Sequence, residues 1–169
     1  MRSRRHHRSA FTLIEIVLVL MIIAICAMVA GPKLANFSRG RALPNAAVSL
    51  ATTARWCRVK ALGDGVQYRL NLDTSNNCYW VTKDDGTGKN FTELTDDMGR
   101  KVFLPEGILM SCPDIPTTED GTFLTFEPGG QKDVGVITLM SDSRTLNITC
   151  ETPFAPYRVF DPTTEKVMR

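Results

Sequence analysis

Few residues of this chain are placed to do chemistry. The two histidines, His6 and His7, stand within the first ten residues and none follows. Ser-His and Cys-His nucleophilic pairs therefore lack a base in the body of the protein. Of five cysteines, Cys26 lies in an apolar run, while Cys57, Cys78, Cys112 and Cys150 are spread through the polar remainder. No C-x-x-C pair and no neighbouring histidine offers zinc a ligand set. In an oxidising compartment the four dispersed cysteines can form two disulfides in three pairings; the alternative is buried free thiols. Gly86-Thr87-Gly88-Lys89 has neither the spacing nor the following helix of a phosphate loop. Asp84, Asp85, Asp96 and Asp97 lack the alternating ligand spacing of an EF-hand and read as solvated loops. Trp56 and Trp80 read as packing residues rather than ligand platforms. The expectation is a non-enzyme with no catalytic residue, no metal and no cofactor.

One carboxylate has an unusual setting. Glu15 follows Phe11-Thr12-Leu13-Ile14, and from Ile16 to Ala30 the chain is apolar. As a helix, the segment from Phe11 to Gly31 spans about 31 Å, close to the roughly 30 Å of a bilayer core. An acid inside such a run costs on the order of 2.5–3.5 kcal/mol, so it points to function and calls for a partner. The charge around it is asymmetric. Of 20 lysines and arginines, four arginines fall in residues 1–10 without an acid, leaving a body of 16 basic and 18 acidic residues. A basic leader favours the cytoplasmic side, and a mildly acidic body argues against a general grip on nucleic acid. A secretory signal peptide or a plain single-span anchor would explain the apolar length, but neither explains Glu15.

The string of short basic leader, Ala10, F-T-L-I-E and apolar helix resembles the N-terminal signal of type IV prepilins and pseudopilins. That resemblance implies cleavage by prepilin peptidase between Ala10 and Phe11 and methylation of the new amine on Phe11. It also implies that Glu15 neutralises a neighbouring subunit's terminal amine during filament assembly, and that Pro32 bends the helix. The family usually carries glycine where Ala10 stands. Farther along, L-P-E-G-I (Leu104–Ile108), F-L-T-F-E-P-G-G (Phe123–Gly130) and V-I-T-L (Val136–Leu139) resemble the GspH/FimT group of minor pseudopilins and minor pilins.

These residues need elements to position them. Leu43, Ala47, Leu50, Ala54, Cys57 and Ala61 recur at spacings of 4 and 3, a narrow helical stripe of small side chains suited to packing on a sheet. Gly63 and Gly65 supply a stop signal. One helix is expected from Phe11 to about Leu62, with Cys57 facing the sheet. Strands are expected at Val66–Leu72, Cys78–Thr82, Lys101–Leu104, Ile108–Ser111, Thr122–Phe126, Val134–Met140, Thr145–Cys150 and Tyr157–Phe160, the sixth and seventh of them as a hairpin around Ser141–Arg144.

The expected fold is α+β and pilin-like: a long N-terminal helix, transmembrane in its first half, packed on an antiparallel β-sheet domain. Its parts are a cytoplasmic leader (1–10), a transmembrane half-helix (11–31), a periplasmic half-helix (32–62) and a periplasmic globular domain (63–169). The resemblance implies a minor pseudopilin of type II secretion, with a minor pilin of a type IV pilus as the alternative. Its implied partners are the prepilin peptidase/methyltransferase, other pilin-like subunits, the inner-membrane assembly platform and the membrane itself. No specific nucleic acid is expected, because the segment Thr152–Arg158 carries one arginine where DNA-binding relatives carry an arginine-rich motif.

Overall fold

The computed structural model describes residues 13–88, 90–131, 134–142, 144–150, 152–164 and 166–168, with 29–39 and 166–168 described by backbone alone. Two compact units divide the chain, residues 1–40 and 41–169. A helix α1 is assigned from Leu13 to Asp64, through Gly31 and Pro32. It ends where Gly65 takes a left-handed φ of 69° and its N–H reaches back to the carbonyl of Ala61 at 3.1 Å. That single backbone bond closes the last turn, and glycine adopts the conformation without steric cost. Gly63, the other expected stop, stays inside the helix.

In the second unit the helix is held by its small-residue stripe. Leu43, Ala47, Leu50, Ala54, Cys57 and Ala61 are all buried, joined by Ala46 and Ala51. Alanine's short side chain lets the helix axis approach a sheet closely, and the two leucines fill the deeper hollows. Two antiparallel sheets share this core. The first contains β1 (Tyr68–Asp73), β2 (Cys78–Asp84), β3 (Phe91–Glu93), β4 (Val102–Phe103), β6 (Thr117–Thr118), β7 (Gly121–Glu127) and β8 (Gly130–Gln131). Its order is β3-β2-β1-β7-β6, with β4 also on β2 and β8 also on β7. The second contains β5 (Leu109–Ser111), β9 (Ile137–Ser141), β10 (Arg144–Thr149), β11 (Arg158–Asp161) and β12 (Lys166–Met168), ordered β12-β11-β10-β9-β5.

Alternation fixes which side chains enter the core. Leu70 faces Val81 and Leu124 across its two ladders, and all three are buried, as are Tyr68, Leu72 and Phe126. From the second sheet come Ile137, Leu139, Leu146, Ile148 and Val159. The expected hairpin is present, with Arg144 opposite Ser141 and Ile148 opposite Ile137, although β9 starts at Ile137 rather than Val134. Strands β4 and β5, either side of Pro105-Glu106-Gly107, enter different sheets: β4 pairs with β2 and β5 with β9. The turn between them is therefore a crossing from one sheet to the other, with Gly107 at a φ of 81°.

Candidate assembly site

Helix α1 places Glu15 in its first turn, where unsatisfied N–H groups and the helix dipole favour a negative charge. Around it stand Leu13, Ile14, Ile16, Val17, Leu18 and Val19, each between 47% and 84% exposed. The pattern continues to Met28 without a buried residue. A helix with apolar side chains exposed on every face, as among the described residues of this stretch, needs lipid or other helices around it. Among the described residues no helical stretch is long and apolar enough to cross a membrane. The described side chains of the run, Leu13 to Met28, cover about 24 Å as a helix, short of a roughly 30 Å bilayer core. Ala10 and Phe11 lie outside the described residues, and Pro32 is described by backbone alone.

The other sequence-selected residues are not gathered into a site. Cys57, Cys78 and Cys150 are buried and Cys112 is half-buried, all four as free thiols. Burial pushes each of these thiols up, Cys112 to about 12, so all stay protonated near neutral pH and none is an activated nucleophile. Cys150 also donates toward Oε1 of Gln131 at 3.5 Å. The aspartates of the glycine-rich loop are used locally. Asp84 accepts from the N–H of Gly88 at 2.9 Å, and Asp85 accepts from the N–H of Thr87 at 3.0 Å. Among the described residues no group of three or more histidine, cysteine, aspartate or glutamate side chains is arranged to hold a metal ion.

The segment Thr152–Arg158 is fastened to the helix. Arg55 Nε donates to the carbonyl of Tyr157 and Arg58 Nη1 to that of Ala155, both at 2.7 Å. The Tyr157 ring is buried edge-on to Phe126, 6.2 Å between centroids. At the helix end Asp64 accepts from Tyr68 Oη at 2.6 Å and from Lys83 Nζ at 3.2 Å. These two hydrogen bonds, Tyr68 first, hold the Asp64 carboxyl below the usual range. Sequence reading missed these ties: those of Arg55, Arg58 and Lys83 join residues whose proximity the pairing of strands and helix creates, while Tyr68 lies only four residues beyond Asp64.

The family model for the prokaryotic N-terminal methylation motif matches residues 5–31, a span that takes in Glu15 and the apolar run after it. No curated protein sequence matches the chain. Among solved structures, the minor pseudopilin EpsH from the type 2 secretion system of Vibrio cholerae has a TM-score of 0.57 at 13% identity, covering 72% of this chain and 98% of that one. At that identity the likeness shows the fold. The protein thus has the fold of a pilin-like pseudopilin, a helix packed on antiparallel sheet, and carries a prokaryotic N-terminal methylation motif.

Proposed function

We propose that this protein is a minor pseudopilin of a type II secretion system, assembled into a short periplasmic pseudopilus that helps export folded proteins across the outer membrane. One observation carries assembly through the N-terminal helix: the methylation motif over residues 5–31 spans the start of an apolar helix whose first-turn acid is Glu15. The EpsH-like domain supports it.

In this reading the arginines of the leader hold residues 1–10 on the cytoplasmic side. Residues 11–31 insert in the inner membrane as a single span, and the sheet domain lies in the periplasm. Prepilin peptidase hydrolyses the amide between Ala10 and Phe11. The freed α-amine of Phe11, in its neutral form, displaces the leaving group of a methyl donor held by the methyltransferase, and the methylated amine is then protonated near neutral pH. Glu15, desolvated among apolar side chains, gains far more from a neighbouring subunit's ammonium than it would in water. That pairing sets the axial register between adjacent subunits, while apolar helix surface passes from lipid to helix packing without meeting water. Catalysis has no part in this work; assembly with other pilin-like subunits and with the inner-membrane platform does.

A minor pilin of a type IV pilus would use the same motif. The proteome of culture supernatant and periplasm from a strain lacking the gene separates the two. Folded exoproteins should drain from the supernatant and accumulate in the periplasm. Unchanged secretion with lost surface filaments, adhesion or DNA uptake would replace the secretion reading with the pilus one.

A further inference from the structure

Trp80, expected from the sequence to serve packing, is not part of the core. Alternation on β2 sends Tyr79 and Val81 inward and leaves Trp80 half-buried on the outer face of the first sheet, opposite Asn71 of β1. Lys101 stands just before β4, and its Nζ lies 4.5 Å from the centroid of the indole. Strands β1 and β4 flank β2 on opposite edges, so this cation reaches the indole from the β4 side. On the β1 side opens a cleft of about 270 Å³, lined by Asn71 and Trp80 from the sheet, by Asp73 at the end of β1, and by Thr117, Asp120 and Thr122 of the β6–β7 hairpin.

The polar atoms of this cleft suit hydroxyl groups. Asn71 spends its Nδ2 within the sheet, on Thr82 Oγ1 at 3.1 Å and the Trp80 carbonyl at 3.4 Å. Its Oδ1 is left as an acceptor without a partner among the described residues, the Trp80 indole N–H is likewise unused among them, and neither atom is buried from water. Thr117 and Thr122 share one hydrogen bond at 2.9 Å, which leaves one hydroxyl hydrogen free to donate. The Asp120 side chain is 73% exposed, and its ion pair with Arg69 is stretched to 3.5 Å. No lysine or arginine is among the described residues lining the cleft, so phosphates and carboxylates meet only repulsion there. A cation is served poorly too, because Asp73 is already committed to Ser75 and Asn76. A sugar ring carries C–H groups on its faces and hydroxyls at its rim. The faces pack on an aromatic ring, and the hydroxyls donate to amide and carboxylate oxygens, most strongly to ionised ones. At slightly less than the roughly 300–1,000 Å³ of sites for drug-sized ligands, the cleft takes one ring rather than a chain. We infer that it binds a single uncharged sugar ring, packed on the indole face opposite Lys101, with hydroxyls donating to Asn71 Oδ1 and Asp120. The inference stands on the first sheet alone and does not depend on the filament reading.

The test uses the full isotope-labelled chain in micelles of a detergent without a sugar headgroup. The Trp80 indole N–H resonance, assigned by its loss in Trp80→Phe, is followed while glucose, galactose, mannose and their methyl glycosides are added, then calcium chloride and ethylammonium chloride. Free hexose and glycoside stand for the two sources of such a ring, a monosaccharide or the end of a glycan. A saturable shift from either, with a dissociation constant on the order of millimolar, supports the site, and the cations should leave the resonance unmoved. Asp120→Ala, at an exposed position that leaves the fold intact, should weaken sugar binding about fivefold through the lost acceptor. Trp80→Ala should abolish it as read on the backbone amides of Thr74 and Ser75, while unchanged core amides show that the fold persists. No saturable shift from any of these sugars up to about 100 mM, a response to either cation as large as that to a sugar, or no effect of Asp120→Ala would each overturn the assignment.

Discussion

Arg144 and Asp161 show how one ion pair ties strands together. Asp161, 3% exposed, accepts from Arg144 Nε at 2.9 Å and Nη2 at 2.7 Å, and from the N–H of Thr163 at 3.0 Å. Hydrogen bonding from Arg144, the largest effect, holds its carboxyl below the ordinary aspartate value. The sign follows from linkage: a depressed folded value means the pair stabilises above the unfolded aspartate pKa of about 3.9, and the contribution is lost as pH falls through the lower folded value. Asp161→Asn should therefore lower the melting temperature at pH 7, and the gap from the parent should close in strongly acidic solution. Thermal melts across pH 7 to 2 check this, and a gap independent of pH would remove the ion pair as its cause. No sequence signal marks this pair: its members lie on neighbouring strands, and only the β10–β11 ladder brings them together. The same is true of Arg69, whose guanidinium lies over the rings of Phe91 and Phe123. Glu15, by contrast, is legible from type and offset alone, since an acid at the head of an apolar run has few other reasons to be there.

At the scale of elements, periodicity was informative where a segment is long and one-sided. The stripe from Leu43 to Ala61 was read correctly at every position because a 3.6-residue repeat over five turns has few rival interpretations. Leu50, fully buried at the centre of that stripe, makes the clearest test. Leu50→Ala should destabilise the protein by about 2–5 kcal/mol, measured by chemical unfolding of the sheet domain's near-ultraviolet signal. A loss well under 1 kcal/mol would mean that the helix is not seated in this core. Short strands were harder. Phe91–Glu93, Thr117–Thr118, Gly130–Gln131 and Lys166–Met168 were not expected as strands, because two or three residues carry no usable alternation. That β4 and β5 enter different sheets also escapes a local pattern: Asn77 receives the N–H of Leu104 on its carbonyl and that of Met110 on its side chain, at 2.8 and 2.9 Å.

For the whole molecule, the prediction concerns assembly. In the proposed filament, Glu15→Ala should be cleaved and methylated normally yet incorporate poorly, since the terminal amine of a neighbour would be buried without its counter-charge. Mass spectrometry of the mature N-terminus, beside the fraction of subunit recovered in sheared filaments, reads both steps; normal incorporation would end this role for Glu15. What the sequence determined by itself was the methylation signal, the apolar helix with its acid, the stripe that seats the helix, and the β-rich remainder. These are properties of residue type and local spacing, and they survive without knowledge of any distant contact. Only the tertiary structure decided how the strands of the described residues divide between two sheets, which side chains meet across them, and that the Arg69 guanidinium lies over the rings of Phe91 and Phe123. Those outcomes depend on non-local pairing, in which one residue's partner is chosen by the register of a strand tens of residues away, and no local pattern encodes that choice.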